Sequence, residues 1–236
     1  MRTQVLRQVC SNHRNDFCDE LLANPRESMI VRSWQRDQSA NPGERLASCY
    51  EYSKDVLVLR EGWAYRFSIL SGGRRQILDF LLPGDLFSFA SVFDGRLSFS
   101  VDALTEVRVL KLRRTEVKRR LAFSTNLQAK WVEGVAHQAR IVDELLVSLG
   151  QRTAEERVGY LILHLMRRMS DKGLANEHRC FFPLKQPHIG DALGITSEHV
   201  CRMISRFRKR GILEISSGYV EVFDRDALKR IASPSN

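Results

Sequence analysis

Apolar residues recur with a short period in the first half of the chain and with a helical period in the second. Between about Met29 and Leu112 the apolar runs are brief and separated by turn residues. Val56-Leu57-Val58-Leu59 reads as a strand, and Val107-Arg108-Val109-Leu110-Lys111-Leu112 alternates apolar with polar positions, as a half-buried strand does. Phe67-Ser68-Ile69 and Ile77-Leu78-Asp79-Phe80 flank Gly72-Gly73, the pattern of a hairpin, and Pro83-Gly84-Asp85 marks a further turn. Several short strands at close spacing predict an all-β barrel, roll or sandwich.

From about Thr115 to Leu149 the period changes to that of a helix. The stretch has no proline, and Gly134 is its one interior helix breaker. Trp131, Val135, Gln138, Val142, Leu145 and Leu149 follow one another at spacings of three and four, a heptad seam, with a second apolar line through Val132, Ala139, Ile141 and Leu146 beside it. A helix of ~30 residues spans ~45 Å, longer than a small barrel needs for a lid. One edge is therefore expected to meet a second copy of the chain, making a homodimer. After Thr153 an amphipathic helix is expected from Ala154 to Met169, with Val158, Leu161, Ile162, Leu165 and Met169 on one side, and Asp171 to Asn176 reads as a loop. The resulting division is an N-terminal segment over 1–28, a β-domain over 29–114, a long helix over 115–150 and a C-terminal domain over 151–236.

Composition changes this picture mainly through charge. The 236 residues carry 37 Lys and Arg against 28 Asp and Glu, a formal net charge of +9 that favours a polyanionic partner such as nucleic acid. The 5 cysteines, Cys10, Cys18, Cys49, Cys180 and Cys201, are odd in number and scattered, which argues against a disulfide framework and for a reducing cytoplasm. No run approaches the ~18 apolar residues of a membrane span, so a soluble protein without a membrane partner is expected. A Gly-rich phosphate loop, a His-Glu-x-x-His run, a Gly-x-Ser-x-Gly elbow and a coherent carboxylate pair are all missing, and an enzyme is not expected.

The segment that carries function runs from Gln186 to Gly211. A first helix ends at Leu193, Gly194 can adopt the positive φ of a tight turn, Thr196 is a natural N-cap for a second helix, and Gly211 closes it. Projected at 100° per residue, Val200, Met203, Ile204 and Phe207 share one face, while Glu198, Cys201, Arg202, Ser205 and Lys209 share the opposite one. Arg202 can donate two hydrogen bonds to guanine O6 and N7, and Glu198 can accept from a cytosine amino group. Arg206, Arg208, Lys209 and Arg210 suit phosphates, and Thr196, Ser197 and His199 complete the DNA-facing set at the helix start. Ile212-Leu213-Glu214-Ile215 and Tyr219-Val220-Glu221-Val222 around Ser216-Ser217-Gly218 form the hairpin of a wing.

In this order of parts the sequence resembles the Crp/Fnr family of bacterial transcription regulators over nearly its whole length. The most specific pieces are Gly73 to Phe87 and Ile189 to Arg202. The resemblance implies an α+β protein with an N-terminal β-roll or jelly-roll of cyclic-nucleotide-binding type, a long dimerisation helix and a C-terminal winged helix-turn-helix. It also implies a homodimer on a palindromic promoter site in double-stranded DNA, contact with RNA polymerase, and activation. Glu198 and Arg202 match the family's Glu-x-x-Ser-Arg or Glu-x-x-Gly-Arg pattern and imply TG-containing half-sites, whereas Cys201 stands where serine or glycine is usual. The family's cyclic-AMP phosphate cassette is not reproduced in Ser88 to Ser100, where the Glu is missing and Arg96 is displaced. The cysteine set of its iron–sulfur members is incomplete too, since Cys10 and Cys18 are too few and Leu110 takes the β-roll position. No cofactor is therefore expected.

Cys10, His13 and Cys18 make a weak metal set, and His137 on the long helix could face a haem but reads better as a packing residue beside Trp131. Cys201, on the groove-facing side beside Arg202 and the helix N-terminus, is a possible redox switch. The rival reading is a protein-interaction module that uses a cyclic-nucleotide-binding-like scaffold and makes no specific DNA readout.

Overall fold

The computed structural model describes Leu21, residues 35–176 and residues 178–232. Cys10, His13 and Cys18, with nearly all of the N-terminal segment, lie outside the described residues.

The strands β1 (Gln35–Ala40), β2 (Arg45–Ala47), β3 (Asp55–Glu61), β4 (Ala64–Ile69) and β5 (Arg75–Leu81) precede a one-turn helix α1 (Ser91–Asp94) and strands β6 (Ser100–Ala103) and β7 (Val107–Arg113). Three helices follow, α2 (Arg114–Phe123), α3 (Thr125–Gln151) and α4 (Ala154–Asp171). The chain ends with β8 (Arg179–Phe181), α5 (Gln186–Leu193), α6 (Ser197–Lys209), β9 (Leu213–Ser216), β10 (Tyr219–Val222) and α7 (Arg225–Ala232). The α+β class and the order of β-domain, long helix and winged helix-turn-helix are those expected from the sequence. Contacts divide the chain into two compact units, one ending at Ile141 within α3 and holding most of the β-domain, the other formed by Val142 onward with the hairpin tip Leu70–Ile77.

In the N-terminal unit, β1-β7-β3 and β2-β6-β4-β5 form two antiparallel sheets. The alternating strand β7 is central to the first, with Val56 opposite Leu112 and Val58 opposite Leu110. One apolar cluster joins Val56, Val58, Leu110 and Leu112 to Val117 and Leu121 of α2 and Leu127 of α3. Another joins Leu57, Leu59, Phe87, Phe99, Val101 and Val109 between the sheets. The interior also holds an ion pair: Arg66 donates to Asp79 at 3.1 Å, with both side chains under a tenth exposed, and its guanidinium lies 5.0 Å from the Phe99 ring centre. The stretch compared with the phosphate cassette contains the one-turn helix α1, with Ser91 donating to the Ser88 carbonyl at 2.8 Å, and leaves Arg96 beyond it exposed.

The single helix expected from Thr115 to Leu149 is two helices. Ser124 adopts an extended backbone with φ −133° and ψ 107°, and its hydroxyl accepts from the Leu127 N–H at 3.2 Å, so it caps a new helix. Gly134 does not break α3. A Cβ there would lie 2.1 Å from the Phe89 ring, so its missing side chain is the space Phe89 occupies.

In the C-terminal unit, α4 starts with a reciprocal capping box. The Glu156 N–H donates to the Thr153 hydroxyl at 3.4 Å, and the Thr153 N–H donates to the Glu156 carboxylate at 2.8 Å. Val158, Ile162, Leu165 and Met169 of α4 are buried, together with Ile189 and Leu193 of α5, Val200, Met203 and Phe207 of α6, and Leu228 of α7. The sequence pattern had not shown α7, which lies against α4 where Gly159 faces Leu228, nor β8, which adds a third strand beside β10.

Candidate nucleic-acid interface

The turn between α5 and α6 is built from two glycines with different jobs. Gly194 takes φ 65° and ψ 34°, a left-handed conformation that suits a residue without a Cβ, and nothing lies within 4 Å of where a Cβ would be. Gly190 is helical, but a Cβ on it would sit 2.6 Å from the Ile195 carbonyl oxygen. The Ile195 N–H donates back to the Gly190 carbonyl at 3.1 Å. Gly190 therefore allows the chain after the turn to pass directly over α5. Only Gly194 of the two is marked by the sequence pattern, since the Gly190–Ile195 approach is made by the fold.

Thr196 caps α6, its hydroxyl accepting from the His199 N–H at 3.3 Å. Val200 and Phe207 are fully buried and Met203 nearly so, while Ile204 is half-buried at the edge of that face. Thr196, Glu198, Cys201, Arg202, Arg206 and Lys209 are exposed, and Ser197, His199 and Ser205 are partly so. Hydrogen bonds from its own backbone N–H and from Thr196 hold the Glu198 carboxyl below its ordinary value, so it presents acceptors only. One exposed side of a 13-residue helix thus offers a carboxylate, a guanidinium, a thiol, a hydroxyl and an ammonium in successive turns. On its flank, Arg210 pairs with Glu155 of α4 at 2.6 Å, and Arg206 approaches the same carboxylate at 3.9 Å. Glu155 was not found from the sequence, because only the fold brings α4 beside the end of α6.

Beyond Gly211 (φ 65°) the wing forms as expected. Ser217 at φ 52° and Gly218 at φ 79° make the two-residue turn with both residues left-handed, and Val222 pairs with Leu213 at the far end.

The residues expected to form a dimer seam divide along α3. Trp131 packs its ring edge-on to Phe93, 5.0 Å between centres, and joins the core of its own chain. Gln138, Leu145 and Leu149 are half-buried, and Val135 and Val142 are exposed. The continuous exposed apolar line runs through Val132, Val135, Ala139, Val142 and Leu146, at spacings of three and four. His137 is exposed on the same helix. Among the described cysteines Cys201 is exposed, whereas Cys180 is buried in β8 and burial pushes its thiol up to about 12. Among the described residues no helix is long and apolar enough to cross a membrane.

The fold agrees with that of known proteins. Residues 156–231 match the model of the Crp-like helix-turn-helix domain, and residues 37–122 match that of the cyclic nucleotide-binding domain. The nitrogen fixation regulation protein FixK of Azorhizobium caulinodans is 30% identical over 229 residues, covering 90% of this chain and 91% of that protein. The chain belongs to the Crp/Fnr family of transcription regulators. The fumarate and nitrate reduction regulatory protein of Escherichia coli is 26% identical over 240 residues, covering 97% of this Crp/Fnr chain and 95% of its relative. The structure of FixK2 from Bradyrhizobium japonicum superposes with a TM-score of 0.77 at 26% identity, covering 86% of this chain and 99% of that one. The α5–turn–α6 unit is accordingly the DNA-binding helix-turn-helix of a Crp/Fnr-type regulator.

Proposed function

We propose that two copies of this regulator meet along the exposed apolar line of α3 and place their α6 helices in successive major grooves of a palindromic promoter site. The observation that carries this reading is the α6 surface itself, where Glu198, Cys201, Arg202, Ser205 and Lys209 stand opposite the buried Val200, Met203 and Phe207. Arg202 reads guanine through O6 and N7, and Glu198 accepts from a cytosine amino group, giving TG-containing half-sites. Ser197, His199, Arg206 and Lys209 hold phosphates and set the register, while Thr196 caps the helix and orients Glu198. Bound in this way, the protein acts in the cytoplasm as an activator that contacts RNA polymerase, and not as a catalyst. The apolar line on α3 supports the dimer, since Leu146 is 70% exposed and Val132 58% exposed in the single chain.

Selection from a randomised duplex library, with reduced protein at moderate salt, tests the reading. The expected product is a two-fold symmetric motif whose half-sites contain TG and lie about one helical turn, ~34 Å, apart. Enrichment without symmetry contradicts the dimer. Failure to retain DNA even at low salt contradicts the function and favours the protein-interaction reading.

The exposure of Cys201 on the same face supports a second property, a redox-sensitive affinity. Peroxide converts the thiolate to sulfenic acid with loss of water or hydroxide from the oxidant, which places a larger polar group against the bases. Affinity for the selected site is expected to fall on mild peroxide treatment and to be unaffected in Cys201→Ser. Equal peroxide sensitivity in the two proteins contradicts it.

A further inference from the structure

Helices leave their last carbonyls unpaired, and two such ends come together inside the C-terminal unit. They are the end of α3, at Leu149 with Arg152 just beyond it, and the end of α5, at Leu193 immediately before the Gly194 turn. One side chain serves both. Arg157, half-buried on the first turns of α4, donates from Nη2 to the Leu149 carbonyl at 2.7 Å, from Nε to the Arg152 carbonyl at 2.8 Å and from Nη1 to the Leu193 carbonyl at 3.1 Å.

The geometry depends on the planar fork of a guanidinium, which can direct separate N–H groups at separate acceptors. Its charge also faces the negative ends of two helix dipoles. A second tie between α3 and α4 lies nearby but does not reach α5. The Tyr160 hydroxyl donates to the Glu144 carboxylate, and Arg152 stacks 4.0 Å from the Tyr160 ring centre. Arg157 is different because it holds the residue from which the turn into α6 begins. Leu193 is followed by Gly194, Ile195 and the Thr196 cap, so fixing the Leu193 carbonyl fixes the origin of the DNA-facing helix relative to the end of α3.

We infer that Arg157 is a positioning residue for DNA readout: it locks the helix-turn-helix to the end of the long helix and so sets the half-site separation that the protein accepts. This rests on the dimeric reading above. It concerns the span between two recognition helices, a property distinct from the contacts each helix makes.

The test uses the full chain and the palindrome recovered by selection, with the same duplex carrying one central base pair more or one fewer. Such a change shifts a half-site by ~3.4 Å and turns it by ~35°. Wild-type protein is expected to discriminate against the altered spacings by about tenfold or more, the size of a base-pair mismatch. Arg157→Gln is expected to discriminate by only about threefold, half of that free energy. Arg157→Lys keeps the charge and loses the fork, and is expected to relax the spacing preference in the same direction. It decides the matter if Arg157→Gln does not fold by circular dichroism. General loss of stability lowers affinity for every duplex alike and leaves the ratio unchanged. If wild type prefers one spacing and the folded variants keep that preference, the inference is overturned. If wild type has no spacing preference, the dimeric palindrome reading itself fails and the inference falls with it.

Discussion

Replacing Gly190 by alanine should damage DNA binding out of proportion to its effect on stability. The added Cβ would lie 2.6 Å from the Ile195 carbonyl oxygen, where ordinary contact begins at 3.4 Å, so α5 and the turn must separate by about 0.8 Å. The obstacle is backbone and has no rotamer to escape into. Overpacking of this kind costs ~1–3 kcal/mol, and alanine returns ~1 kcal/mol of helix propensity, leaving a net loss of about 1 kcal/mol. Gly194→Ala provides the matched comparison. It meets no atom within 4 Å, but its φ of +65° costs an alanine ~1–2 kcal/mol. The two variants should therefore have similar denaturant midpoints. Only Gly190→Ala pushes directly on the residue before the Thr196 cap and so moves α6 against α5. Its affinity for the selected palindrome should fall at least about tenfold below that of Gly194→Ala, comparable to one mismatched base pair. Equal affinities at equal stability would refute the role given to the Gly190–Ile195 approach.

Gly134→Ala should destabilise the protein despite improving helix propensity, because its Cβ would meet the buried Phe89 ring at 2.1 Å, whereas Gly150→Ala has open space; thermal unfolding should separate the two. His188 supplies a pH dependence. Burial, with the positive charges of Arg75 and Lys185, lowers its folded-state value below the ordinary one near 6.5, and its Nδ1 accepts from the Lys185 N–H at 3.1 Å, which only the unprotonated atom can do. A depressed histidine contributes stability that is fully present above about pH 6.5 and is lost as pH falls toward the folded value, so wild type should weaken relative to His188→Asn on acidification; a flat difference across that range contradicts the assignment. Limited alkylation followed by peptide mass spectrometry should label Cys201 well before Cys180, whose buried thiol is pushed up to about 12, and equal rates would contradict that burial.

Elements whose signal is local were legible in the sequence. Alternation in Val107–Leu112 and the Gly72-Gly73 turn located strands β7, β4 and β5. Gly194, Thr196 and Gly211 located α6, because a left-handed turn, a hydroxyl cap and a C-terminal glycine are each written in one residue. Features set by tertiary contact were hidden. Ser124 interrupts a stretch that is helical in composition, and the interruption shows only when its hydroxyl is seen to cap Leu127. Gly134 looks like a breaker until Phe89 is found in its place. Helical periodicity offered two apolar lines on α3, and burial cuts across both: Trp131 of the first turns to its own core, while Val135 and Val142 of the first stay exposed with Val132 and Leu146 of the second. Arg157 and Glu155 sit in a helix start that reads as ordinary capping sequence, and the partners that only the fold brings to them, Leu193 and Arg210, lie 36 and 55 residues away.

The most direct test of the account compares wild type and Arg202→Ala on the selected palindrome and on duplexes with each half-site base pair changed in turn. The account predicts that Arg202→Ala loses about 1–3 kcal/mol on the parent site and loses nothing further when the guanine facing Arg202 is replaced. Wild-type affinity for Arg202→Ala on the parent site, or the same loss on every duplex, would contradict sequence readout through α6.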